Sequence, residues 1–173
     1  MVERLVPFDD EFAVLATRGA AGDIVHYPVV WTHQEDGQLS WARAPHPRAA
    51  RLAAWARPVI ERLLVGIDHR GTLAMECFRC GDEAVVNEVA PRVHNSGHWS
   101  IEGCAASQFD NHVRAVMGLE LAPPAPHGHC LLLNAIGDMP VDPALPGVHV
   151  HAYGKAARPG RVHKPGHPAA ARP

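Results

Sequence analysis

Apolar positions in the first forty residues come as short, strand-length runs. Phe12-Ala13-Val14-Leu15-Ala16-Thr17 and Ile24-Val25-His26-Tyr27-Pro28-Val29-Val30 are separated by the turn-forming Arg18-Gly19-Ala20-Ala21-Gly22-Asp23, and Glu35-Asp36-Gly37 marks a further turn. From Arg48 to Leu64 the period changes: Leu52, Trp55, Val59 and Leu63 recur at three- and four-residue spacing and predict a helix, which Pro58 is expected to kink or split. Leu73 to Phe78 and Ala84 to Val89 then read as a hairpin turning through Cys80-Gly81-Asp82. A second helix is expected from about Ser107 to Met117, with Ser107 as N-cap, Asp110 three residues on and Gly118 as stop. Its apolar face would be Phe109, Val113 and Val116/Met117.

After Leu121 the pattern weakens. Pro123-Pro124-Ala125-Pro126 reads as a linker or rigid turn, Cys130 to Asn134 and Val148 to Tyr153 as short strands, and the last dozen residues as a loose tail without a core pattern. The expected fold class is therefore α+β, a mainly antiparallel sheet with helices on one face. A lobe over 1–121 would be followed by a small β-rich subdomain over 122–173.

Composition narrows the classes. Hydrophobic residues make up 47% of the 173, enough for a real core, which excludes wholesale disorder. A net charge of -2 leaves no general electrostatic case for nucleic acid or an anionic membrane. No apolar run reaches spanning length, and Met1-Val2-Glu3-Arg4-Leu5 has no leader pattern, so a cytoplasmic protein is expected. Cys77, Cys80, Cys104 and Cys130 are too few and scattered for a disulfide framework, and Cys77-Phe78-Arg79-Cys80 has no answering pair at zinc spacing.

The chemistry concentrates in Asn87-Glu88-Val89-Ala90-Pro91-Arg92-Val93-His94-Asn95-Ser96-Gly97-His98. Polar groups this dense beside an apolar strand are costly to desolvate unless a ligand meets them. If the hairpin centres on Asp82, Glu76 falls opposite Glu88, their Cβ atoms ~5 Å apart on one face. Two carboxylates so close hold a shared proton or a cation between them, and an oxygen pair with a phosphate suits Mg²⁺. A one-residue slip would separate them, leaving ordinary solvated glutamates. Asn87 would face away unless a bulge re-aims it. Arg92 suits a phosphate or carboxylate, and His94 can donate or relay a proton. A glycine-punctuated basic stretch holding Lys155, Arg158, Arg161 and Lys164 reads equally as a phosphate loop or a solvated tail, and His149/His151 as a zinc pair or as strand histidines.

The run Asn87–His98 resembles the N5-carboxyaminoimidazole ribonucleotide synthetase family, ATP-grasp enzymes that include the phosphoribosylaminoimidazole carboxylase ATPase subunit. The resemblance continues through Ile101-Glu102-Gly103-Cys104 and Ser107-Gln108-Phe109-Asp110-Asn111-His112-Val113-Arg114-Ala115-Val116, back through Met75-Glu76-Cys77-Phe78, Tyr27-Pro28 and Val2 to Phe8, and forward to Tyr153-Gly154-Lys155 and Arg158–Arg161. It covers nearly the whole chain as the C-terminal portion of such an enzyme.

The resemblance implies ATP-driven carboxylation of aminoimidazole ribonucleotide by bicarbonate in purine biosynthesis, with ATP and Mg²⁺ as cofactors. By that resemblance Glu3, Arg4, Leu5 and Val6 form the hinge at adenine and Glu11 binds ribose, with Gln34 where the family has a nucleotide-side histidine and His33 one residue away. Glu76 and Glu88, with Asn87, are the magnesium set. Arg92 and His94 hold the ribonucleotide as the catalytic pair, Asn95 and Ser96 lie beside them, and Lys155 and Arg161 contact its phosphate.

The departures are specific. Gly160-Arg161-Val162-His163-Lys164-Pro165-Gly166-His167 is two residues longer than the family motif, and the strand and helix expected after His167 are not recognisable. The resemblance begins at the hinge, whereas family members carry two earlier lobes, including lysines that grip the nucleotide phosphates. Three readings follow: part of a ligase inactive alone, a non-catalytic remnant or half-enzyme needing a separate N-terminal ATP-grasp partner, and a His-rich metal-binding module built on 13 histidines. Apolar surface left bare predicts a homodimer or poor solubility.

Overall fold

A computed structural model describes residues 4–135, 142, 144–152 and 166–172, the last of these as backbone only. Nine strands form one sheet in the order β6-β5-β1-β3-β4-β7-β9-β8, with β2 pairing on β1. Their ranges are β1 Asp10–Arg18, β2 Ile24–His26, β3 Val30–Glu35, β4 Gln38–Ala44, β5 Gly71–Cys80, β6 Glu83–Ala90, β7 His129–Leu133, β8 Val148–Ala152 and β9 Gly166–Arg172. Helices are α1 Ala49–Gly66, α2 Ser100–Gly103 and α3 Gln108–Met117. All the strand pairs are antiparallel. The α+β class is as the pattern predicts, but the helices divide between the two faces.

On one face the alternate residues Phe12, Val14 and Ala16 of β1 and Leu73, Met75 and Cys77 of β5 meet α1 through Leu52, Ala56, Ile60 and Leu64. This is an i, i+4 stripe one position off the expected one; Trp55, Val59 and Leu63 flank it, partly buried. The helix is not split at Pro58 and runs through it to Gly66. Pro58 lies on the exposed side with Ala54, whose carbonyl loses its partner where water can replace it.

On the other face Ala13, Leu15, Val30, Ala42, Ala74, Ala90, Trp99 and Leu132 form a second core, and α3 packs against β1 and β5. Here Ser107 caps α3 through a reciprocal box with Asp110, and Gly118 ends it in the left-handed conformation, as predicted. Its inward face, however, is Gln108, Asn111 and Ala115, while Val113, Val116 and Met117 are more than half exposed. The amides win the inner positions because each is fully hydrogen bonded. Asn111 donates to Tyr27 Oη (2.9 Å) and to Ala122 O (2.9 Å), and accepts from Ala122 N (2.9 Å).

Pro28 and Val29 interrupt the expected 24–30 strand, leaving β2 and β3. The sheet runs on past residue 121 because β7 pairs with β4. Nor is the C-terminus a patternless tail: Gly166–Arg172 is a strand between β7 and β8. Its Ala-rich sequence has little β-propensity of its own, so pairing on both sides decides its conformation.

Candidate functional site

The site grows out of the β5–β6 hairpin. Cys80 pairs with Glu83, so the turn is the two residues Gly81-Asp82, with Gly81 at φ 62°. That places the centre half a residue before Asp82. Continued without interruption, this register would set Asn87 opposite Glu76. Instead the pairing shifts between Glu76 and Cys77: Cys77 faces Val86, Glu76 faces Glu88, and Asn87 is the extra residue of a bulge. Glu76 and Glu88 are therefore directly paired, as the spacing predicts, by a turn plus a bulge rather than by a turn centred on Asp82.

The same face collects further groups. Ala13 pairs with Glu76 and with Val30, and Glu11 pairs with Thr32, so Glu11, Gln34 and Glu76 project to one side. Gln34 Nε2 donates to Glu76 Oε2 at 3.2 Å. His94 Nδ1 stands 3.5 Å from Glu76 Oε1 and 2.9 Å from Ser96 Oγ. Glu76 is only 8% exposed, whereas Glu88 and Asn87 on the edge strand are open to solvent. A buried carboxylate that accepts from Gln34 and has the His94 ring beside it, facing an exposed carboxylate, is an anionic surface able to accept a hard cation. Burial pushes the Glu11 carboxyl above its ordinary value, opposed by the Gln34 backbone N–H and by nearby His33.

Arg4, Leu5 and Val6 form a lead-in without regular structure. It continues beside the end of β5, where Phe8 stacks on Phe78 (4.4 Å) and Pro7 O accepts from Cys80 Sγ at 3.4 Å. Phe78 pairs with Glu11, which puts this aromatic step next to the carboxylates. Asn95 and Ser96 sit in a single 3-10 turn, Asn95–Gly97, beside His94. Arg92 is exposed and its guanidinium donates locally to Val93 O at 3.0 Å rather than joining the Glu76 group. Glu3, Lys155 and Arg161 lie outside the described residues.

Among the described residues no group of three His, Cys, Asp or Glu side chains is placed to hold an ion. Among the described side chains His151 contacts Glu102 (2.6 Å), His26 contacts Glu61 (2.8 Å), and His33 stacks on Trp41. Cys77 is buried, its thiol pushed up to about 12 by desolvation, while Cys80 pairs with Glu83 at the turn and is partly exposed; both are free thiols.

Pattern reading missed the shell behind His94. Gln108, wholly buried, meets the His94 backbone at both N and O, and Ser100 links Gln108 to Gly97. It also missed Arg79, which bridges Asp9 and Asp10 at 2.7–2.9 Å and so anchors the start of β1 to β5. No local signal marks Gln108, which stands among Ser107, Asp110, Asn111 and His112, whereas Arg79 is a lone charge at the end of an otherwise apolar strand run.

An ATP-grasp domain model matches residues 1–109. The chain is 42% identical over 172 residues to the N5-carboxyaminoimidazole ribonucleotide synthase of Pseudomonas aeruginosa, a match covering 96% of the chain and 46% of that protein. The structure of the corresponding synthetase from Thermus thermophilus superposes with a TM-score of 0.90 at 45% identity, over 97% of this chain and 47% of that one. The Aspergillus clavatus enzyme, solved in complex with ADP and 5-aminoimidazole ribonucleotide, gives 0.83 at 31% identity, over 96% and 48%. The chain thus spans about half the length of the curated relatives it matches. Among the described residues no helix is long and apolar enough to cross a membrane. With the domain match over most of its length and this fold and identity beneath it, the chain belongs to the ATP-grasp family.

Proposed function

We propose that the chain is the C-terminal portion of an N5-carboxyaminoimidazole ribonucleotide synthetase, an ATP-dependent ligase joining bicarbonate to the amine of 5-aminoimidazole ribonucleotide. The observation that carries this reading is the Glu76–Glu88 pair with His94 beside it, on the face that also holds Glu11 and Gln34. Glu76 and Glu88 would hold Mg²⁺, and the donor set fits: all oxygen, dianionic, one member buried and the other open to solvent. Bound there, the ion supplies neutralising charge to the phosphate oxygens of ATP.

The chain's own residues divide the remaining work. Glu11 offers a carboxylate to ribose hydroxyls, and the lead-in through Arg4, Leu5 and Val6 offers backbone groups to adenine, with Glu3 assigned to the same hinge. Gln34 orients Glu76 by donating to it. His94, held by Ser96 and facing Glu76, is placed to hydrogen bond the ribonucleotide, with Arg92 able to swing from the turn onto a carboxylate or phosphate and Asn95 alongside. Lys155 and Arg161 are assigned the ribonucleotide phosphate. Because ATP-grasp chemistry needs a water-excluded cleft, turnover is expected only together with the part of the relatives that this chain does not span, whether covalently joined or supplied as a separate partner; a cytoplasmic setting accompanies that role.

Isothermal titration of the chain with Mg-ATP, repeated on Glu88→Gln, tests the proposal. Saturable binding that Glu88→Gln abolishes supports a working half-site; no binding by the folded wild-type chain removes the nucleotide reading.

A further inference from the structure

The loop carrying His94 leaves the sheet where β6 ends, so His94 lies beyond the strand ladder of β6. Its backbone is nonetheless extended, at φ -135° and ψ 153°. Its two main-chain polar groups are met by one side chain: His94 N donates to Gln108 Oε1 (2.9 Å), and Gln108 Nε2 donates to His94 O (2.8 Å). A carboxamide presents one acceptor and donors on the same plane, so it imitates the edge of a peptide in an antiparallel ladder. Gln108 is 0% exposed, and its own main chain is tied as well, N to Ser100 Oγ (3.0 Å) and O to Thr72 Oγ1 (3.1 Å).

The loop is closed from the other side. Ser100 Oγ also donates to Gly97 O at 2.6 Å. A Cβ on Gly97 would come within 2.5 Å of Gln108 Oε1 and would strike Leu15 Cδ2. No side chain fits at 97 without displacing the carboxamide. Beyond this clamp the His94 ring reaches Ser96 Oγ at 2.9 Å and Glu76 Oε1 at 3.5 Å.

We infer that Gln108 is a positioning residue for the site, a buried surrogate strand that sets where the His94 imidazole stands relative to the Glu76 carboxylate. The consequence for ligand binding rests on the reading that His94 meets the ribonucleotide. Gln108 itself touches neither substrate nor metal ligand. Mispositioning His94 by an ångström is enough to lose a directional hydrogen bond.

The test compares the full chain with Gln108→Leu, Gln108→Glu and Asn111→Leu. Asn111 is the control: it is equally buried on α3, and the partners found for it are Tyr27 and Ala122, not the loop. Amide hydrogen exchange at 94–97, the His94 ring resonances and titration with 5-aminoimidazole ribonucleotide are the readouts. Gln108→Leu is expected to lower protection of the His94 amide by about tenfold or more, to move its ring signals, and to weaken ribonucleotide binding by a comparable factor. Asn111→Leu is expected to leave the ring signals in place. Gln108→Glu supplies a rescue and a second variant should Gln108→Leu fold poorly. Its neutral carboxyl can both accept and donate as the amide does, and its ionised form cannot donate. Against wild type at each pH, its His94 signals should therefore converge on the native ones as pH falls. An unmoved His94 in Gln108→Leu, or equal disturbance by Asn111→Leu, overturns the inference. His94 signals that respond as expected in a chain that binds no ribonucleotide leave the positioning role standing and remove the ribonucleotide reading instead.

Discussion

Helices α1 and α3 cover opposite faces of one sheet and are built on opposite principles. The first buries Leu52, Ala56, Ile60 and Leu64 against apolar strand residues, a contact that is strong but indifferent to small rotations. The second buries two amides and turns Val113, Val116 and Met117 outward. Apolar burial would stabilise more per residue; hydrogen bonds fix orientation. The face that carries Glu76 and His94 uses the directional kind, and the face that carries no candidate chemistry uses the other.

Four changes test that contrast. Ile60→Ala should cost the most, about 2–5 kcal/mol in chemical denaturation, and should leave the His94 ring signals unchanged in the folded state. Asn111→Leu should cost about 1–3 kcal/mol, because Tyr27 Oη and the Ala122 backbone are left without their partner; a value near zero would mean that apolar packing suffices under α3 as well.

A graded loss should follow acidification. Burial lowers the pKa of His26, His46 and His112 below 6.5 in the folded chain. The unfolded chain then binds more protons in the window between the folded values and 6.5, so stability is full above 6.5 and declines as pH falls through the folded values. Denaturation midpoints at about pH 7.5 and about pH 5.5, either side of the ordinary histidine value, measure it. His112 accepts from Thr72 N through Nδ1, so His112→Gln should flatten the α3 share of this dependence and leave the α1 share, from His26 and His46, in place. The smallest effect belongs to Val113→Ser, less than about 0.5 kcal/mol, since the side chain is already 57% exposed. A larger cost would show that something covers the outer face of α3 in solution.

The contrast also explains what was legible in the sequence. The two longer helices, the β5–β6 hairpin, the Ser107–Asp110 box and the Gly118 stop follow from local rules, and the structure has each of them, whereas the Glu76–Glu88 pairing also needs the bulge at Asn87. The inner face of α3 was not legible: Phe109, Val113 and Met117 have helical spacing, and nothing local tells a buried amide from a solvated one. That choice is made by Tyr27, Ala122 and His94, which all lie outside the helix. Pro58 misleads for the same reason, since only the tertiary setting reveals that its side of α1 faces water. Strand β9 is the limiting case, an Ala-rich segment made extended by neighbours on both sides. Of the site, the carboxylates and His94 could be found from composition and spacing, whereas Gln108 could not, because its role is defined by a backbone it meets only after folding.

The bulge at Asn87 has one more consequence. Residues 87 and 88 differ by a single charge, and the bulge decides which of them stands across from Glu76. Moved past Glu76, it would seat an amide there and halve the formal charge of the pair, turning a dianionic pair into a monoanionic one. Deleting Asn87 outright would draw Glu88 back into uniform register with Glu76, so the charge would survive while the local bend would not. Valence and curvature at this edge are thus set separately, one by which side chain is opposite and the other by how many residues it took to get there.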